Sequence, residues 1–228
     1  MQHIRIAIDG PSGAGKSSLA RAIAERKRIV YVDTGALYRT VGFYAREQGI
    51  SREEIDRIVP LLGNIHIEVK YENGVQCVYL NGENLGERIR TPEMSMYASA
   101  VSAIPAVRAF LLDTQRKIAR ENSVIMDGRD IGTVILPDAD VKIFLTASDE
   151  CRATRRRDEL VAKGIETTYE EVLRDMQERD RADSTRAVAP AVAAPDAIPF
   201  DNSWMTPEEC VERIAAIVAE KTAGKSLH

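Results

Sequence analysis

A chain of 228 residues and 25.2 kDa has room for one large domain with insertions or for two small ones. Apolar residues make up 44% of it, enough for a sizeable core, which excludes a wholly disordered or fibrous protein. Its 31 basic and 35 acidic residues leave a formal net charge of −4, which speaks against a general nucleic-acid or membrane-surface binder.

Residues 4–9 form a short apolar run that predicts a buried strand. A glycine-rich turn follows, then residues 17–26, where Leu19, Ala22 and Ile23 recur at helical spacing. Residues 29–33 read as a second strand, so the three elements make a βαβ unit and imply a parallel sheet. Two helices are expected next, over 36–48 and 52–62, the second opened by a capping box from Ser51 to Glu54. The period then changes to two. Ile65, Ile67, Val69 and Tyr71 alternate with polar residues, and Asn73-Gly74 and Asn81-Gly82 predict turns. An antiparallel hairpin or meander is therefore inserted in an α/β chain.

Thr91-Pro92 starts a further helix by cap and first-turn proline, and Pro105 starts another. Residues 123–127 and 141–145 are strand candidates. A helix is expected from Ser148 to Lys163, closed by Gly164, and a second from the capping box at Thr168 and Glu171 to Ser184. Residues 187–199 read as a loop, 198–201 as a last strand, and Thr206 with Glu209 caps a final helix. Cys77, Cys151 and Cys210 are too scattered for a disulfide framework or a zinc site and suggest a reducing cytosol. His3, His66 and His228 do not cluster. No apolar run approaches the ~18 residues of a membrane span.

Gly10-Pro11-Ser12-Gly13-Ala14-Gly15-Lys16-Ser17 fits G-x-x-x-x-G-K-[ST] without a mismatch. Its glycines let backbone amides wrap a polyphosphate, the helix N-terminus adds partial positive charge, and Lys16 reaches the β/γ-phosphates. Ser17 offers a hydroxyl to Mg2+. The motif predicts a nucleoside triphosphate as ligand and leaves the acceptor open. N-K-x-D and D-x-x-G, expected of a regulatory GTPase, are missing. The strand ending at Asp127 carries a single aspartate before Gly128-Arg129-Asp130, unlike the adjacent acids usual in a remodelling ATPase. A kinase for a small molecule fits better; a slow P-loop switch is the alternative from another class.

The cations carry a further signal: 23 are arginine and 8 lysine. Arginine grips oxyanions through a planar fork, although genomic bias explains the bulk excess equally well. Arg152, Arg155 and Arg156 share one helical face, as do Arg179, Asp183 and Arg186. Read alone, such stripes are surface ion pairs worth tenths of a kcal/mol. Beside a P-loop they read as a lid, whose arginines balance two phosphate chains and exclude water.

Four strings make a resemblance specific: IAIDGPSGAGKSS at 6–18, YVDTGALYR at 31–39, DGRDIGTV at 127–134 and RAVAP at 186–190. In order and spacing the chain resembles the bacterial cytidylate kinases over nearly its full length. The resemblance implies a P-loop nucleoside monophosphate kinase fold: a five-stranded parallel sheet flanked by helices, a helical lid, and a monophosphate-binding insert with a small antiparallel sheet. The expected layout is a single unit over 1–228, with core at 1–35, 105–148 and 190–228, a monophosphate-binding region at 36–104 (β insert 64–86) and a lid at 149–189. It implies transfer of a phosphoryl group from ATP to CMP or dCMP with Mg2+, by a cytoplasmic monomer that binds neither nucleic acid nor membrane. A kinase for another nucleoside monophosphate or a small metabolite is the nearest alternative.

By the same resemblance Gly10 to Ser17 and Ser18 would contact ATP, and Lys16, Arg129, Arg155 and Arg186 would act on the transferring group. Arg39 would hold the CMP phosphate with Thr34 beside it. Ser99, Arg108 and Asp130 would read cytosine, Arg129 would contact phosphate, Arg179 and Asp183 would read the sugar, and Arg186 would reach the transferring phosphoryl group. Arg155, with Arg156, would close over ATP, and Asp33 would orient metal-bound water.

Overall fold

The computed structural model describes residues 3–72 and 74–225. Five strands make the main sheet: β1 (Arg5–Asp9), β2 (Val30–Asp33), β6 (Val124–Gly128), β7 (Val141–Thr146) and β8 (Ile198–Asp201). They lie in the order β2-β6-β1-β7-β8, every neighbouring pair parallel. The phosphate loop therefore leaves the middle of the sheet, at the end of β1.

Alternation along the strands splits the core between two faces. Ile6 and Ile8 pack with Leu19 and Ile23 of α1 (Lys16–Lys27) and with Ile214 and Val218 of α7 (Pro207–Lys221). Ala7, Val124 and Met126 point the other way, toward Ala119 of α4 (Pro105–Glu121). A third cluster joins Leu37 and Val41 of α2 (Thr34–Glu47) to Met94 and Val101 of α3 (Pro92–Ser102). It also takes in Val78 and Leu80 of the insert. The insert is an antiparallel sheet of β3 (Ile67–Glu72), β4 (Val75–Leu80) and β5 (Glu83–Asn84). The Asn81-Gly82 turn forms as expected, both residues at positive φ (51° and 87°); Asn73 of the other predicted turn lies outside the described residues, as does His228. The helices α5 (Asp149–Ala162) and α6 (Tyr169–Thr185) bury only a small cluster of their own, Ala153, Leu160, Val172 and Met176.

Both capping boxes of the later helices form, at Thr168/Glu171 and Thr206/Glu209. The one expected at Ser51 does not open an α-helix. Residues Ile55–Asn64 wind instead as a 3₁₀ helix. Pro60 within it has no N–H to donate, and its ring would clash with the carbonyl four residues back in an α-helix. Two further differences are small. α2 starts at Thr34, two residues early, because Asp33 caps it by accepting the Ala36 N–H at 2.9 Å. Arg28 turns left-handed (φ 55°) to close α1, which delays β2 to Val30. A π-turn at Ile131–Ile135, after the Asp127-Gly128-Arg129-Asp130 string, is unannounced in the sequence. No single helix among the described residues is long and apolar enough to cross a membrane.

Candidate active site

Gly10 can only be glycine: its φ is 146°, and a Cβ there would stand 2.0 Å from the Leu145 carbonyl oxygen on β7. The loop ends in Gly15, also left-handed, which caps α1 with no side chain. The first amides of α1 thus stay free for an anion. Lys16 is buried and donates from Nζ to the Pro11 carbonyl at 2.6 Å; Ser18 is exposed.

Ser17 donates to Asp127 Oδ2 at 2.7 Å, and the Tyr31 hydroxyl donates to the other oxygen at 2.9 Å. Burial, then the nearby Asp33 charge, pushes the Asp127 carboxyl above its ordinary range. A hydroxyl and a carboxylate side by side are the hard oxygen donors Mg2+ accepts together with phosphate and water. Among the described residues no cluster of three His, Cys, Asp or Glu could hold a metal, so phosphate and water would complete the ion's shell. Asp33, expected to orient metal-bound water, is occupied otherwise. Besides capping α2, it pairs with Arg39 at 2.7 Å and with Arg90 at 3.7 Å. Thr34 is also committed, donating to the Asp127 carbonyl at 2.8 Å in the interior.

The remaining acceptor-side residues converge on two buried carboxylates. Asp183 of α6 accepts from Ser99 of α3 at 3.0 Å and from Arg129 Nε at 2.9 Å. Arg186 and Arg179 stand 3.8 and 4.0 Å from it. Asp130 pairs with Arg108 of α4, and with Arg186 at 3.6 Å. Arg108 also donates to the Ser102 carbonyl at 3.1 Å and lies over the Tyr38 ring. Four guanidinium groups thus face two carboxylates. The surplus shows in the titration of its members. Burial, then Arg129, pushes Arg179 down to about 10, and burial, then Arg108, lowers Arg186. Burial alone would raise Asp183; Arg129, Arg179 and Arg186 outweigh it and hold that carboxyl low. Three buried guanidinium nitrogens, Arg39 Nε, Arg179 Nε and Arg186 Nη2, make no hydrogen bond within the protein, the latter two standing only at ion-pair distance from Asp183 and Asp130.

The lid rests on the phosphate loop at Ser12. Asp180 of α6 accepts the Ser12 N–H at 2.8 Å, Arg152 of α5 donates to its carbonyl at 2.7 Å, and Arg129 to its hydroxyl at 3.0 Å. Arg152 also pairs with Asp149 and Asp180. Beside them opens a cleft of about 330 Å³ lined by Pro11, Phe144, Thr146 and Arg181. Arg155 lies apart from the acceptor network. It donates to the Asn202 side-chain and backbone oxygens, both at 3.0 Å, while Asn202 Nδ2 donates to the Ala14 carbonyl at 2.9 Å. Arg156 points to Glu159 at 2.7 Å and joins neither group.

Sequence reasoning left Asp127, Asp180, Asn202 and Asp9 without a role and read Arg152 only as one of three arginines on a lid helix face. Asp9 holds the π-turn, accepting the Ile131 and Gly132 N–H at 2.8 and 2.7 Å; burial raises its pKa to about 6 even so. Two signals existed. Asp127 ends an apolar strand, and Arg152 shares the helical face of Arg155.

A phosphate loop at the centre of a parallel sheet, a strand-end aspartate on its serine, and a helix pair closing over it define an α/β phosphotransferase of the P-loop kinase class. The family model for cytidylate kinase matches residues 6–220. The chain is 49% identical to the cytidylate kinase of Fervidobacterium nodosum over 96% of its own length and 98% of that protein. It is 48% identical to that of Thermosipho melanesiensis, covering 95% and 97%. Among solved structures, an uncharacterized protein from Eubacterium ventriosum shares the fold, with TM-score 0.51 and 13% identity over 95% of this chain and 98% of that one. The chain belongs to the cytidylate kinase family and is an enzyme of phosphoryl transfer.

Proposed function

We propose that this chain transfers the γ-phosphoryl group of ATP to CMP or dCMP, yielding ADP and CDP or dCDP. The observation that carries the reading is the buried cluster of four arginines and two aspartates facing a phosphate loop beneath one lid. Two unit charges ~4 Å apart repel by about 4 kcal/mol at an effective dielectric near 20. Bringing two phosphate chains together therefore needs cations on both sides.

The loop amides and Lys16 hold the donor phosphates. Ser17 and Asp127 would hold Mg2+, which would offset the charge of the donor phosphates. On the other side Arg39 and Arg129 bind the acceptor phosphate, and Arg186 reaches the transferring group. Their carboxylate partners keep these arginines in place between turnovers. The acceptor phosphate is already an anion, so no general base is needed. Ser99 and Asp130 accept from the cytosine amino group, with Arg108 donating to the ring acceptors. Uracil lacks that donor and would leave a buried acceptor unpaired, a mismatch that discriminates strongly. Asp183, with Arg179, turns from Ser99 to the sugar hydroxyls when the nucleotide binds. Arg155, through Asn202, couples the lid to the donor side.

The working parts are a core at 1–35, 105–148 and 190–228, a monophosphate-binding region at 36–104 and a lid at 149–189. The separate apolar clusters of the α2–α3 region and of the lid favour this division. The enzyme is read as a monomer. Three free cysteines and a net charge of −4 accord with a cytosolic enzyme acting on small nucleotides, away from nucleic acid and membranes. ADP release from Mg-ATP, followed with and without CMP, tests the reading. ADP should form only with CMP present; equal rates without an acceptor would make the chain a hydrolytic switch.

A further inference from the structure

Asp33 ends β2 and Asp127 stands near the end of β6, both on one side of β1. β7 and β8 lie on the other side of β1. The segment following β8 is fastened there on three sides. Asn202 is buried between the Ala14 carbonyl and Arg155. Ser203 accepts the Ser148 N–H at 2.8 Å at the start of the lid, and its own N–H and hydroxyl donate to Asp201 at 2.8 and 2.6 Å. The next residue is Trp204, the single tryptophan of the chain, 95% exposed. The next most exposed large apolar side chain is Val75, at 61%. An indole is the largest apolar side chain, and leaving it in water forfeits its burial. Here a loop hydrogen-bonded both to the phosphate loop and to the start of α5 carries one into solvent.

We propose that Trp204 is the stacking platform for the base of the donor nucleotide and so sets the affinity for ATP. The proposal rests on the phosphate-loop reading of the donor site and is independent of which acceptor is used. Stacking requires only a π-face, so Trp204 favours ATP over inorganic polyphosphate and discriminates little between purines.

Because the chain has one tryptophan, its intrinsic emission reports on this position alone. The full-length protein is titrated with Mg-ATP, Mg-GTP and Mg-tripolyphosphate. Both nucleotides should quench the emission, and tripolyphosphate should leave it unchanged. Trp204→Ala should raise KM for ATP about 5- to 150-fold, the range of base–aromatic stacking, with KM for CMP within twofold of the parent. Trp204→Phe should recover most of the loss. No quenching at ATP concentrations that saturate turnover would overturn the proposal. So would equal quenching by tripolyphosphate, or an unaltered KM for ATP in the alanine variant. Failure of the phosphate-loop reading looks different: ATP would then be neither bound nor consumed by the parent protein.

Discussion

Asp130 is 3% exposed and shares its two oxygens between Arg108 and Arg186. It settles two charges inside the protein, and in the proposed reading it would accept from the cytosine amino group. Removing one member of such a buried pair costs about 3–5 kcal/mol, because the other charge is stranded. Asp130→Ala should therefore unfold at lower temperature and raise KM for CMP, with KM for ATP unchanged. Thermal melts and steady-state kinetics check both, and an unaltered KM for CMP would remove Asp130 from the base pocket. The residues that chain chemistry announces are those whose partners are near in sequence or are the ligand itself. Lys16 and Ser17 stand in a phosphate-binding string, and Thr168 finds Glu171 three residues on. Asp180 and Asp9 meet partners 168 and 122 residues away. No local pattern marks an aspartate as the one that will take the Ser12 N–H, so these roles emerge only once the sheet brings the segments together.

Among the elements, the inserted sheet shows what position adds to pattern. Its period-two alternation and Asn-Gly turn are legible in the sequence, and β4 buries one face, at Gln76, Val78 and Leu80, whereas β3 and β5 bury no residue fully. Its connection to the site is not legible there. Gln76 on β4 accepts the Asp33 N–H at 2.8 Å and returns a hydrogen bond to the Asp33 carbonyl at 3.2 Å. Its side-chain amide thus pairs with the end of β2 as a neighbouring strand would. Arg90, just beyond the insert, reaches the Asp33 carboxylate, and Asp33 in turn holds Arg39. The insert therefore fixes Arg39, the arginine proposed to bind the acceptor phosphate, at one remove. Gln76→Leu leaves a buried N–H and carbonyl unpaired, at a cost of about 1–3 kcal/mol. A lower melting temperature and a raised KM for CMP should appear together; a destabilised variant with the parent's KM would make the contact purely architectural. The 3₁₀ helix at Ile55–Asn64 teaches the converse lesson. Helical spacing and a good cap were present, but Pro60 decides the winding through one missing donor and one steric clash.

Across the whole molecule, charge is distributed rather than accumulated. Of the 23 arginines, several form exposed pairs, such as Arg26 with Glu212 and Arg57 with Glu54, worth little to stability. A small set is drawn inside, where Arg108, Arg129, Arg179 and Arg186 outnumber their carboxylates. A net charge of −4 and a local cationic trap are compatible because the lid carries its own neutralising acids, Asp180 and Asp183. In the proposed reading the trap would account for anion binding in general and Ser99, Arg108 and Asp130 for the choice of base, and that choice is the central claim. Its most direct measurement is kcat/KM for CMP, dCMP, UMP, AMP, GMP and dTMP under saturating Mg-ATP, with ADP as the readout. The account predicts CMP and dCMP well ahead of every other acceptor, UMP included. Dominance by AMP or GMP would contradict it.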